Sequence, residues 1–261
     1  MTTPVQEKWV LITGASSGIG RALAREFAAG GFNVFLTARD QEALETVAAE
    51  CENKFGIKTA IFATDLSEPQ STDELLASVA DKRFDVLVNN AGFGVKGDFA
   101  DTDLDDELKM LNVQLAAMLK LTKAVLPKMI AQKTGRILNV ASVYSFSPVS
   151  RQAVYSACKS FIFSFSSSLR AELGDSGVSV TVLCPGITQT QFRTRAGIAD
   201  KKDSGMTAEA VAKIAFEETM RGAHTVVPGF QNKVFVFLSR HLPSGLQTAL
   251  INFINKRRGV N

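Results

Sequence analysis

The chain has 261 residues, 46% hydrophobic and 21% charged, a balance that suits a globular protein able to bury a sizeable core. A net charge of +3 is too small to argue for nucleic acid, and no apolar run reaches the roughly 18 residues of a membrane span. The polar stretch 1–8 lacks the apolar core of a signal peptide, and Cys51, Cys158 and Cys184 have no paired spacing, so reduced thiols in a cytoplasmic protein are expected.

Residues 9–13 are a short apolar run ending at Gly14, the pattern of a strand buried on both faces. Apolar residues recur at helical spacing over 19–29, and Gly30 and Gly31 stop that helix. A strand at 32–37, a helix at 40–53 and a strand at 57–63 follow, then a helix opened by Pro69 and running to about Ala80. The fourth strand is 84–89, one long helix spans 104–131, the fifth strand is 136–141, and a further helix spans 151–173. The sixth strand is 178–184, Thr207 caps a helix running to Arg221, and 224–227 is a short last strand. This alternation predicts an α/β fold: a doubly wound parallel sheet of Rossmann type, about seven strands with helices on both faces. Its ligand crevice would lie at the strands' C-terminal ends. No repeat or linker divides the chain, so residues 1–261 are expected to form one domain, with a substrate lid around 188–206 and a helical tail at 230–261.

The stretch Thr13-Gly14-Ala15-Ser16-Ser17-Gly18-Ile19-Gly20 joins the first strand to the first helix. Glycines there let a pyrophosphate sit close to the helix N-terminus, whose free N–H groups and dipole favour anions. A tight turn without a ligand is the blander reading; the position between strand and helix favours the dinucleotide. No Gly-Lys-Ser/Thr follows, which disfavours a nucleoside triphosphate loop. About 20 residues on, an acidic residue would meet a free ribose 2′-hydroxyl. Thr37, Ala38 and Arg39 stand there instead, and the guanidinium fork suits a 2′-phosphate, so NADP(H) is favoured over NAD(H). On the alternative reading Arg39 is merely solvated and Asp40 only caps the next helix.

Tyr155 and Lys159 are four residues apart on a helix and share one face. An ammonium about 4 Å from a phenol, at an effective dielectric near 20, favours the phenolate by roughly 4 kcal/mol. That would draw a phenol from about 10 towards about 7, where a general acid/base works, although desolvation pushes the other way. A half-buried Tyr beside a solvated Lys is the blander reading, weakened by Ser142 upstream and by the glycine turn. Tyr144, Phe93, Phe146 and Phe192 are candidate walls of an apolar pocket, or else ordinary core. Two His and no ligand-like cluster leave no expected metal site.

From about Lys8 to Val227 the chain resembles the short-chain dehydrogenase/reductase family, in its single-domain branch with the Thr-Gly-x-x-x-Gly-x-Gly turn. The matching stretches are Thr13 to Gly20, Asp65-Leu66, Asn89-Asn90-Ala91-Gly92, Asn112, Ser142, Tyr155-x-x-x-Lys159, and Pro185-Gly186 with Thr190. The resemblance implies that Gly14, Ser16, Ser17, Gly18, Ile19 and Gly20 hold the pyrophosphate and its ribose. It implies that Asp65 accepts from the adenine amino group beside the Leu66 backbone, and that Asn90, Ala91 and Gly92 lie along the cofactor. Pro185, Gly186, Thr188 and Thr190 would meet the nicotinamide end. Ser142 would hold the substrate oxygen, and Tyr155 would exchange a proton with it. Lys159 would lower the Tyr155 pKa and bond the nicotinamide ribose, and Asn112 would support a water that feeds Lys159. Read alone, Asn-Asn-Ala-Gly is also a polar turn, Pro-Gly a strand exit, Ser142 a turn serine and Asn112 a polar group in a helix kink.

The expected activity is hydride transfer between NADP(H) and an apolar carbonyl or secondary alcohol. The alternatives are a catalytically silent nucleotide-binding regulatory protein on the same fold, and a sugar epimerase or dehydratase, which resembles a longer branch with different glycine spacing. Residues 108–129 and 161–165 are apolar almost all round, so they are buried in a core or an interface; the resemblance implies a homodimer or homotetramer. The tail carries Phe235, Phe237, Leu238, Leu242, Leu246, Leu250, Ile251, Phe253 and Ile254, then Lys256-Arg257-Arg258. Packing over the substrate pocket or a neighbouring subunit is preferred here to peripheral membrane contact.

Overall fold

A computed structural model describes residues 7–192, 196, 205–242 and 246. The chain opens with β1 (Trp9–Thr13), α1 (Gly18–Ala29), β2 (Asn33–Ala38), α2 (Gln41–Phe55), β3 (Thr59–Ala63), α3 (Pro69–Ser78) and β4 (Val86–Asn89). The expected long helix is a continuous rod with a flaw in it: α4 (Leu104–Leu111), a π-helical turn (Asn112–Ala116) and α5 (Ala117–Ala131). Then come β5 (Gly135–Val140), a short 3-10 turn (Val143–Phe146), α6 (Ala153–Leu173) and β6 (Val178–Leu183). A small two-stranded ladder joins β7 (Thr188–Gln189) to β8 (Met206–Thr207), and α7 (Ala208–Met220), β9 (Thr225–Val226) and α8 (Phe230–His241) follow. Most of the lid expected at 188–206 lies outside the described residues, as do tail residues Leu250, Ile251, Phe253, Ile254 and 256–258.

Local chemistry sets the helix ends. The Asp40 carboxylate accepts from the Ala43 N–H at 3.0 Å to start α2, and Gly56, at φ +67°, ends it in the left-handed region. Thr207 Oγ1 accepts from the Ala210 N–H at 3.2 Å and starts α7, as its sequence predicts.

Seven strands form one wholly parallel sheet in the order β3-β2-β1-β4-β5-β6-β9. Residues alternate across it. Val10 and Ile12 of β1 enter the layer beneath α1, α2 and α7, and Leu11 enters the layer beneath α3, α5 and α6. Both faces are therefore covered, which is why the strands read as unbroken apolar runs. The order reverses between β1 and β4, and a doubly wound sheet opens its crevice at that point. Cys51, Cys158 and Cys184 are all free and buried.

Phe27 of α1 is fully buried and meets Phe32 and Phe216 edge-on, with ring centroids 5.5 and 5.0 Å away. Phe27→Ala is expected to destabilise the fold by about 3–5 kcal/mol, read as a lowered urea midpoint at unchanged slope.

Candidate active site

Two turns face each other across the switch point. Thr13 Oγ1 accepts from the N–H groups of Asn90 (3.0 Å) and Ala91 (2.9 Å) and donates to the Val88 carbonyl (3.3 Å). In return, Asn90 Nδ2 donates to the carbonyls of Thr13 (2.9 Å) and Gly14 (3.2 Å). The glycine-rich turn after β1 is thus clamped to the turn after β4. Gly14 sits at φ +66°, and a Cβ on it would come within 2.9 Å of both Ala91 Cα and Asn90 Nδ2. A Cβ on Gly20 would fall 2.1 Å from the Gly14 carbonyl oxygen. The first turn of α1 carries no acidic residue and Ser17 makes no side-chain cap bond, so the helix start is left to meet an anion.

These turns open onto a cavity of about 640 Å³ that runs along the C-terminal ends of the central strands. Gly14, Ser16, Ser17, Gly18, Ile19, Arg39, Asp65, Leu66, Asn90, Ala91, Gly92, Pro185, Gly186, Thr188 and Thr190 all line it, together with Ser142, Tyr155 and Lys159. Two predicted residues do not. Gly20 lies behind the turn, where its missing side chain lets α1 pack against the Gly14 carbonyl. Asn112 begins the π-helical turn, and its Nδ2 donates to the Ser67 carbonyl at 2.9 Å. Among the candidate wall residues, Tyr144, Phe93 and Phe192 line the cavity. Phe146 does not: it packs on Phe163, with the Arg240 guanidinium 4.9 Å from its ring centroid.

At one end of the groove Arg39 is two-thirds exposed, and its Nη1 lies 3.6 Å from Asp65 Oδ2. Burial opposes ionisation of Asp65, but the Ser67 N–H (2.9 Å) and the Arg39 guanidinium hold its carboxyl below the usual range. Asp40 is spent on its helix cap, and Ala38 puts no carboxylate at the end of β2.

At the other end, α6 brings Tyr155 and Lys159 to one wall, both buried, facing Ser142 at the end of β5. Lys159 Nζ lies 5.5 Å from the Tyr155 ring centroid and donates to the Val140 carbonyl at 3.0 Å. Burial adds what spacing alone leaves out. Burial raises the Tyr155 phenol well above its ordinary value, and its hydrogen bond with Ser142 only partly offsets that. Burial also pushes Lys159 down to about 8. Desolvation is thus the largest influence on both groups, and it favours the neutral form of each. Phe192 lies 5.7 Å from the Tyr155 ring.

A buried polar network lies beneath this end. Asn89 Nδ2 donates to Asn139 Oδ1 (2.8 Å) and Thr122 Oγ1 (3.3 Å), and Asn139 Nδ2 donates to Ser166 Oγ (2.9 Å). It ties β4, β5, α5 and α6 together and so fixes where Lys159 stands. Two further groove residues lay outside the sequence reading, Gln152 and Asn232, and Phe235 of the tail lines the groove as well, in line with the preferred packing over the substrate pocket. Gln152 is buried, and its Oε1 has no partner among the described residues. Asn232 packs where a Cβ on Gly186 would fall, 2.2 Å from its Oδ1, so α8 closes one side of the groove. Only the placement of Gln152 three residues before Tyr155 could have pointed to it; nothing local marks Asn232.

The family profile of short chain dehydrogenase matches residues 8–201. A dehydrogenase/reductase SDR family protein 7-like of Anopheles gambiae is 38% identical over 195 residues, 72% of this chain and 62% of that protein, so less than two thirds of its length is matched. A very-long-chain 3-oxoacyl-CoA reductase of Macaca fascicularis is 30% identical over 97% of this chain and 81% of its own. The solved short-chain dehydrogenase from Sphingobium yanoikuyae in complex with NADPH superposes with a TM-score of 0.82 at 29% identity, covering 97% of this chain and 94% of that one. A glycine turn clamped at the switch point, Ser142, Tyr155 and Lys159 at one end of one groove, and a family profile spanning most of the sequence agree: this chain belongs to the short-chain dehydrogenase family.

Proposed function

We propose that this protein is an oxidoreductase that uses NADP(H) to interconvert a carbonyl and a secondary alcohol on an apolar substrate. One observation carries the reading: a single groove joins the Ser142, Tyr155 and Lys159 cluster to a dinucleotide cradle that ends at Arg39. When bound, the nicotinamide supplies or accepts the hydride. The cradle fits the cofactor, because Gly14 leaves room that any Cβ would fill and Gly18 to Ala29 presents an uncapped helix start to the pyrophosphate. Arg39 would hold a ribose 2′-phosphate, with Asp65 3.6 Å from it available to the adenine.

The chain's own groups then handle one proton. Ser142 Oγ donates to the substrate oxygen and holds it against Tyr155. The phenol, kept neutral by burial, gives its proton to that oxygen as negative charge builds there. Lys159 stabilises the phenolate left behind and then passes it a proton, and a solvent proton, delivered through a water that Asn112 would support, restores the ammonium. Phe93, Tyr144 and Phe192 exclude water and suit an apolar substrate body. Three buried free thiols support a reducing, cytoplasmic setting, and exposed Leu108 and Phe161 support pairing with a second copy.

A panel of carbonyls and alcohols assayed with both cofactors at the nicotinamide absorbance tests the proposal; no turnover in either direction despite cofactor binding would leave a silent nucleotide-binding protein. Tyr155→Phe is expected to lower kcat by about 10²–10⁴-fold while cofactor affinity, followed by fluorescence, stays within a few-fold. Arg39→Gln should shift the ratio of kcat/KM values away from NADP(H) by roughly 10–100-fold.

Lys159 gives a stability prediction of the opposite sense. Its native pKa of about 8 lies below the ordinary value of 10.5, so below pH 8 both states hold the proton and the fold bears the full cost of a buried charge. Between those two values only the unfolded state holds it, and stability rises with pH. Lys159→Met should therefore abolish turnover, raise stability at pH 7 by roughly 1–3 kcal/mol, and flatten that rise in urea midpoints.

A further inference from the structure

The last described helix, α8, has two unlike faces. Asn232 and Phe235 wall the groove, and Val236 and Ser239 are buried behind them. On the outer side Phe230 (81% exposed), Val234, Phe237 (61%) and Leu238 follow one another at helical spacing in one stripe, and Leu246 beyond the helix is 62% exposed. Half of the large apolar side chains exposed among the described residues fall in this short segment, which makes a patch of them and not surface scatter.

The charge is as one-sided as the exposure. From residue 230 onward the sequence holds Lys233, Arg240, Lys256, Arg257 and Arg258, while all 26 acidic residues precede that point. Of the net +3, this segment carries +5 and the remainder of the chain −2. Arg240 lies over the Phe146 and Phe163 rings, so on the described helix Lys233 is the basic group beside the exposed rings, and such rings with a lysine and no acidic residue match an anionic lipid surface. A second copy suits the face poorly, since a two-fold contact would set the all-basic segment against itself.

We propose that α8 docks this protein peripherally on anionic bilayers, with Phe230 and Phe237 as its apolar anchors and Lys233 as a headgroup contact. No helix among the described residues is long and apolar enough to cross a membrane, so the contact is a surface one. Asn232 and Phe235 occupy the opposite side of the same helix, so the groove opens about one helix diameter, roughly 10 Å, from the lipid.

Sedimentation of the full chain with vesicles of phosphatidylcholine plus phosphatidylserine, and of phosphatidylcholine alone, tests this. The protein is expected to pellet with the anionic vesicles at least about tenfold more strongly than with the neutral ones. Phe230→Ser with Phe237→Ser should weaken that binding by at least about tenfold, and Lys233→Glu several-fold. All three side chains are exposed, so circular dichroism and thermal melting should stay those of the parent. Failure to pellet with either vesicle, or undiminished pelleting of the double variant, overturns the proposal. So does a dimer, seen by light scattering, that binds no vesicle and falls apart in the double variant, because the face would then be a subunit interface.

Discussion

The chemical end of this molecule depends on keeping a cation inside an apolar wall. Lys159 is buried, and its ammonium has the Val140 carbonyl as a partner at 3.0 Å. Burying an ammonium costs several kcal/mol unless it is well paired, and the structure holds the residue there by fixing everything around it. Ser145 Oγ donates to the Lys159 carbonyl at 2.8 Å, and Ser166, two turns further along α6, is tied to Asn139 of β5. The helix cannot slide along the sheet to let Nζ reach water without breaking those buried bonds. A group that would otherwise escape is thereby kept beside Tyr155.

The cofactor end is rigid for a different reason, namely lack of room. Thr13 and Gly14 accept four bonds from Asn90 and Ala91 across the switch point, all within 3.2 Å, and Gly14 and Gly20 leave no space for a methyl group. Hydrogen bonding aligns the two turns and steric contact fixes their separation. The groove is therefore shaped by backbone, which side-chain rearrangement cannot easily widen.

The fold was legible because its strands are buried on both faces, so apolar runs and helical periods alternate cleanly; β1, read at 9–13, is Trp9–Thr13 in the structure. Tyr155 and Lys159 were legible as neighbours because helical spacing alone sets them on one face. Their electrostatics were not, since they depend on burial by the folded structure, in which Phe192, remote in sequence, packs 5.7 Å from the Tyr155 ring. Arg39 was readable as a guanidinium at the right place, but its pairing with Asp65 needs β2 and β3 side by side. Asn89 and Asn139 stand in different strands, and only the packed sheet shows them bonded to each other. The apolar tail hinted at packing over the pocket, and Phe235 does line the groove, but nothing in the spacing singled out Asn232 on the same helix.

The π-helical turn at Asn112–Ala116 sets a length constraint on an otherwise plain rod. The Ala117 N–H reaches back to the Asn112 carbonyl, one position further than in an α-helix, so the turn holds an extra residue and swings α5 about the rod axis by about 100°. On one side of it Leu104 and Leu108 face outward while Glu107 is buried; on the other Met118, Leu121 and Val125 face the sheet. Removing a single residue here would leave helicity and rod length nearly intact, yet it would twist the two halves out of phase and expose one apolar row or the other. Insertions and deletions in this stretch are therefore judged by geometry rather than by composition, and substitutions that keep the count are tolerated far more readily than changes that alter it.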